Sequence, residues 1–248
     1  MSPVATGTVR TLAFGELGTG VWVCARADGE ACVVVAGGND SPATVIPGAA
    51  INGTTANEPW SVTADGVTLS ATTVGATADL APFDGFDQLC EVTGTVRLGG
   101  VEHALAALGR RGLRAGIDLS RLDSLRDLGA WFAHDDGLTL TAARPRGAKG
   151  HDRDVVAASV FGEDGTKPVA DPRLSSTYSA DGRLLHAGLE LWLDADNDQQ
   201  YPRRAAADTV GEGVQIETAG GTVTVWPLKW LTRGEEGAGV YVLARGAR

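Results

Sequence analysis

Apolar and β-branched residues come in short runs along this chain, and glycine-containing pairs separate many of them. Residues 21–27 and 31–36 flank Asp28-Gly29, and residues 60–64 and 67–73 flank Asp65-Gly66. Residues 91–98 and 101–108 meet across Gly99-Gly100. The second half repeats the scheme with 130–133 and 138–144, then 155–161, then 174–179 and 183–193 across Ala180-Asp181-Gly182. Residues 213–217, 222–231 and 238–244 close the chain. Asp-Gly occurs six times, starting at Asp28, Asp65, Asp84, Asp136, Asp164 and Asp181. Both central residues of a type I′ turn need positive φ, which Asp-Gly tolerates. Turn signals at this spacing predict an all-β protein, an antiparallel sandwich or barrel.

Two stretches depart from the strand pattern. Residues 102–108 are rich in Ala and Leu and have helical propensity, but their place after a turn favours a strand. Leu119, Leu122, Leu125 and Leu128 recur every three residues, with Arg121, Asp123, Arg126 and Asp127 between them. That spacing predicts a short amphipathic helix near the midpoint. The expected organisation is a first β-unit over 1–117 and a second over 118–248, joined by this helix. One continuous domain is the alternative, and the oligomeric state is left open.

Composition narrows the function. The chain has 248 residues, 43% of them hydrophobic, which is enough for a sizeable core. A net charge of -10 repels phosphate backbones and anionic lipid, so nucleic-acid and membrane-surface roles are disfavoured. Cys24, Cys32 and Cys90 are an odd set without a C-x-x-C spacing, so buried thiols in a reducing compartment are expected. The first residues carry no basic-then-apolar signal pattern, and no apolar run is long enough for a membrane span. These features place the protein in the cytoplasm.

Most familiar chemistry is absent. Asp194-Ala195-Asp196-Asn197-Asp198 begins like a calcium loop, but Gln199 and Ala205 stand where that loop needs Gly and Glu. His103, His134, His151 and His186 show no zinc-type spacing, so no metal is expected. Nucleophile-elbow, phosphate-loop and β-α-β dinucleotide patterns are missing. No cofactor is implied.

One strand carries candidate chemistry. Across residues 183–193, Leu185, Ala187, Leu189, Leu191 and Leu193 share one face; His186, Gly188, Glu190 and Trp192 share the other. The first face is core. If the second lines a barrel lumen, His186 and Glu190 form a general acid/base pair beside an aromatic wall; if it meets water, they are surface residues. Trp131, Tyr178 and Trp192 are candidate pocket walls, and most aromatics in that half are also plausible packing. The polar loop 144–154 contributes Arg144 and His151 as candidate substrate-binding residues. Arg203-Arg204 is suited to gripping a carboxylate or to forming structural ion pairs.

From Phe86 onward the chain resembles the lipocalin-like superfamily that includes hydroxyneurosporene synthase (carotenoid 1,2-hydratase). The resemblance rests on Gly94-Thr95-Val96-Arg97, Leu108-Gly109 with Gly116, and the 144–154 loop. It continues through residues 174–182, Gly188-Leu189-Glu190-Leu191-Trp192, Pro202-Arg203-Arg204 and Gly239-Val240-Tyr241. It implies lipocalin-like β-units around an apolar cavity, with hydratase and cyclase relatives that need no cofactor. The hydratases carry an Asp-His-x-Trp signature where this chain reads Arg110-Arg111-Gly112-Leu113-Arg114, so no catalytic residue carries over.

The leading expectation is an enzyme that cyclises or hydrates an apolar polyene, terpenoid or polyketide-like molecule. In it, Glu190 is a proton donor kept neutral by burial and His186 its partner. A non-catalytic carrier of an apolar ligand is the second reading, and a structural β-protein with a filled core the third.

Overall fold

The computed structural model describes residues 7–37, 41–150, 153–193 and 201–247. The first sheet contains β1 (Gly7–Glu16), β2 (Val21–Asp28), β3 (Glu30–Gly37), β4 (Ser41–Pro47) and β5 (Ala50–Asn52). It continues with β6 (Trp60–Ala64), β7 (Val67–Asp79), β8 (Asp84–Leu98) and β9 (Val101–Ile117). Hairpins join most neighbours, and β1 closes beside β9, giving the order β4-β3-β2-β1-β9-β8-β7-β6-β5. The sheet curls into a half-barrel around Phe14, Trp60, Leu69, Val92 and their neighbours.

The second sheet contains β10 (Leu122–Ala133), β11 (Asp136–Pro145), β12 (Val155–Gly162), β13 (Gly165–Tyr178) and β14 (Leu184–Leu193). Strands β15 (Arg203–Thr209), β16 (Val214–Thr218), β17 (Gly221–Thr232) and β18 (Glu235–Gly246) follow. Strand β15 pairs with β17 from Ala206↔Leu231 to Thr209↔Leu228. That pairing closes an antiparallel barrel of eight strands, with β16 appended to β17. The all-β barrel expected from the hairpin pattern is the architecture observed.

The connecting helix is not. Among the described residues the helical element is a single 3-10 turn, Leu119–Arg121, whose cap Asp118 accepts from the Ser120 amide at 3.0 Å. From Leu122 the chain is strand β10. This strand is covered on both faces, which removes the alternation that marks a half-solvated strand. Leu128 and Ala130 point into the barrel, whereas Leu125 and Trp131 point at the first sheet. Leucines three apart fall on opposite faces, and both faces need apolar cover.

The layer between the sheets holds Ala13, Trp22, Leu89, Trp131, Val225 and Val240. Within this layer sits a cluster of four directly paired charges, with the buried Arg26 nearby. Arg110 on β9 donates to Asp87 on β8 at 3.1 Å and to Asp127 on β10 at 2.8 Å. Arg114 reaches the same two carboxylates at 2.7 and 3.1 Å. Glycine makes room for them: a Cβ on Gly129 would lie 2.8 Å from Arg110 Nε, and one on Gly112 2.1 Å from Asp87 Oδ1.

Two of the six Asp-Gly pairs are not turns. Asp136-Gly137 opens β11, and a Cβ at Gly137 would press on Ala130 O at 2.9 Å and on Leu89 of the first sheet at 3.0 Å. Asp84-Gly85 opens β8, and a Cβ on Gly85 would meet Leu113 O. Here glycine serves close backbone approach.

Candidate functional site

From His186 on, strand β14 alternates as its sequence indicates, but a register shift against β13 at its start buries Leu184 and leaves the expected core residue Leu185 only half-buried. Ala187, Leu189 and Leu191 are buried inside the barrel, so His186, Gly188, Glu190 and Trp192 belong to the outer wall. The lumen is filled on the other side by Trp226, Leu228, Trp230 and Tyr241. His186 is 63% exposed, and its Nδ1 contacts Asp208 Oδ1 on the neighbouring β15. The structure therefore gives His186 an exposed carboxylate partner on β15 instead of placing it with Glu190 in a lumen.

Glu190 stands in an open groove of about 530 Å³ where β13, β14, β15 and the end of β17 meet. Leu174, Ala206 and Leu231 contribute apolar lining, with the strand backbone at Leu189 and Ala205, and Arg173, Arg204 and Arg233 are its cationic groups. Glu190 Oε1 accepts from Trp192 Nε1 at 2.9 Å and from Arg173 Nη1 at 3.4 Å. Its Oε2 accepts from Arg204 Nε at 3.3 Å. With 29% of the side chain exposed, Glu190 lacks the burial that the neutral-acid expectation required. Arg173 also pairs with Asp171 at 2.7 Å, at the edge of the groove.

The other expected site residues are dispersed. Tyr178 reaches the barrel interior, where its hydroxyl lies 3.1 Å from that of Tyr241 and Ser176 Oγ lies 3.3 Å from the same hydroxyl. Burial pushes the Tyr241 phenol well above its ordinary range, and the Trp226 ring meets it edge-on at 5.8 Å. Trp131 is not a barrel wall. It is buried between the two sheets and directs its indole N–H at Gly15 O, 3.3 Å away. Arg144 is at the opposite end of the barrel from the groove and grips Asp154 through Nε at 2.8 Å and Nη2 at 3.2 Å. His151 and the 194–198 acidic run lie outside the described residues.

Two smaller cavities flank the β12–β13 turn. One, of about 290 Å³, opens at the barrel mouth between this turn, Leu193 and Arg203. The other, of about 220 Å³, lies between the sheets beside Val74, Leu89 and His134. There His134 Nε2 is 2.7 Å from Glu91 Oε1, a contact across the two sheets. The sequence flagged neither Arg173 nor Ser176. The visible signal was a polar residue at every second position of β13 (Arg173, Ser175, Thr177), which marks an outer face but not a groove.

No protein-family model matches the chain, and no curated protein sequence does. Solved structures do match. The crystal structure of CghA is 12% identical, with a TM-score of 0.67 over 100% of this chain and 90% of that one. CghA with Sch210972 gives 0.62 at 12% identity, over 98% of this chain and 89% of that one. An AttH protein from Nitrosomonas europaea gives 0.67 at 9% identity, covering 98% and 92%. Kievitone hydratase from Nectria haematococca gives 0.59 at 10% identity, covering 98% and 89%. At these identities the likeness is one of fold. The chain has the lipocalin-like fold of these proteins along nearly its whole length.

Proposed function

We propose that this protein is a cofactor-independent enzyme that binds an apolar polyene, terpenoid or polyketide-like molecule and cyclises or hydrates it. The observation that carries the reading is the groove at Glu190: a mostly apolar trough of about 530 Å³ with two guanidinium groups at its edge, each in contact with Glu190. Support comes from the fold, which is shared with kievitone hydratase and with CghA, a protein crystallised with the small molecule Sch210972.

In this reading the apolar surface holds the substrate in a reactive shape, which lowers the barrier through proximity and orientation. Arg173 and Arg204 donate to a carbonyl oxygen conjugated with the reacting double bond, where negative charge develops; in hydration the water oxygen bonds to the β-carbon and a proton of that water ends on the α-carbon, and in cyclisation the atoms are only rearranged. Glu190 orients the two guanidiniums, because its own oxygens already accept from Arg173, Arg204 and Trp192. It is a positioning residue here, not a proton donor. The same saturation favours a second reading, a carrier that binds the ligand without converting it.

The test is to incubate the protein with a panel of linear polyenes and polyketide-like acids while following Trp fluorescence and product mass. A product heavier by one water means hydration, and an isomer with altered absorbance means cyclisation. Glu190→Gln is expected to lower kcat on a converted substrate with a smaller change in KM. Full activity in that variant removes Glu190 from the proposal. Quenching without product supports the carrier, and no quenching across the panel overturns both readings.

A further inference from the structure

We infer that the groove at Glu190 takes an apolar molecule ending in an ionised acid, with the anion seated between Arg204 and Arg233. The inference rests on the reading that this groove is the substrate site, and it names the class of substrate. It starts from the strand registers. Arg173 on β13 stands opposite Glu190 on β14, and Glu190 stands opposite Arg204 on β15. The β15–β17 ladder runs to Ala206↔Leu231. Continued by two residues, that register sets Arg204 across from Arg233, in the turn that follows β17. The Thr232 hydroxyl donates to Arg204 O at 2.7 Å and ties this turn to β15. A single row across the groove therefore reads cation, anion, cation, cation, and all four residues line it.

The first three charges alternate and touch. Glu190 accepts from Arg173 at 3.4 Å and from Arg204 Nε at 3.3 Å. The last two are like charges across neighbouring strands, an unfavourable arrangement unless an anion joins them. Among the described residues the Arg233 side chain makes no hydrogen bond or ion pair, and that of Arg204 makes only its contact with Glu190. A guanidinium has five N–H donors, so both keep donors for a ligand. They are also accessible: 70% of the Arg204 side chain is exposed, and Arg233 is exposed. Directly opposite residues have Cβ atoms about 5 Å apart, so one oxyanion can meet both side chains. Nearby acids are engaged elsewhere, Asp171 with Arg173, Asp208 with His186 and Glu236 with Lys229. Glu235 beyond the turn forms no ion pair with Arg233, nor do Glu163 and Asp164, which share the mouth cavity with it. Arg204 borders the groove alone. The groove lining thus carries three cations against one carboxylate in a chain of net charge -10, a local field that favours an anion. Among the described residues Arg233 alone, apart from glycines, has a positive φ, at 50°. Glycine adopts that conformation without strain, yet this turn carries a guanidinium.

Calorimetric titration of the full chain with farnesoate, methyl farnesoate and farnesol tests the seat. Wild-type protein is expected to bind farnesoate at least about fivefold more tightly than the two neutral molecules, the scale of two partly exposed charge contacts. Added salt should narrow that gap. Arg233→Gly suits the backbone of the turn and removes only the guanidinium. It should weaken farnesoate about threefold or more, the loss of one such contact, and leave farnesol binding in place. Arg233→Lys keeps the charge and should keep most of the preference, whereas Arg204→Gln should abolish it. Lys229→Gln removes a cation outside the groove and should leave the preference intact. If it lowers the preference as much as Arg233→Gly does, general charge attraction explains the binding and the seat is overturned. Equal affinity for all three molecules in the wild type also overturns the seat but leaves the groove as a site for apolar molecules. No binding of any of them overturns the seat and that reading together.

Discussion

Replacing Asp127 with Asn tests whether the buried charge quartet holds the two units together. Asn preserves shape and one acceptor oxygen but removes the negative charge. Two guanidiniums, Arg110 and Arg114, would then share Asp87 alone in a layer where all four side chains are at most 4% exposed. Breaking one member of a buried ion network typically costs about 3–5 kcal/mol, because the remaining charge loses its partner without regaining water. For urea unfolding with a slope of about 2–3 kcal/mol per molar, this lowers the midpoint by about 1–2 M. The assay is urea unfolding at neutral pH, followed by Trp fluorescence and circular dichroism. Arg121→Gln is the control, since its pair with Asp118 leaves the arginine 85% exposed, and it should leave the midpoint in place. A second check combines Asp127→Leu with Arg114→Met, which should cost less than the two single changes together by about 1 kcal/mol or more. A midpoint for Asp127→Asn as high as that of the control would refute the idea that the quartet binds the units.

Three further outcomes are expected. Burial pushes the Asp127 carboxyl up, but Arg110 and Arg114 outweigh it and hold it at about 2. A folded pKa below the unfolded one of about 3.9 means this stabilisation is fully present above roughly pH 4 and lost as pH falls through about 2. Wild-type stability should thus drop more steeply than that of Asp127→Asn over that window, and parallel curves would contradict the assignment. Burial pushes the Cys24 and Cys90 thiols up to about 12, so at pH 8 a disulfide-exchange reagent should label the half-exposed Cys32 first and the other two only in denaturant. Uniform labelling of the native protein would show that the layers open readily. Arg111 donates to Glu58 O at 2.6 Å and to Ala56 O, with its Cζ 5.7 Å from the Trp60 ring centre. Arg111→Ala should speed amide hydrogen exchange across 54–59, and unchanged protection there would mean that the loop is held without this arginine.

Local pattern determined much of this protein. The Gly99-Gly100 turn, the strand ladders either side of it and the two faces of β14 all follow from residue chemistry, because turns and side-chain alternation are short-range properties. Helical propensity in 102–108 did not prevail, because the turn before it and the register with β8 set that segment as a strand. Other features depended on contacts distant in sequence. Nothing in residues 183–193 says which face will meet the lumen; closure of β15 onto β17 decided it and left Glu190 outside. Nothing near Leu125 and Leu128 says that a second sheet will cover β10, so a doubly buried strand read as a helix. Arg203 and Arg204 look like one motif in sequence. The barrel wall passes between them, sending one guanidinium to Asp136 inside and the other to Glu190 outside, because neighbouring side chains on a strand cannot share a face.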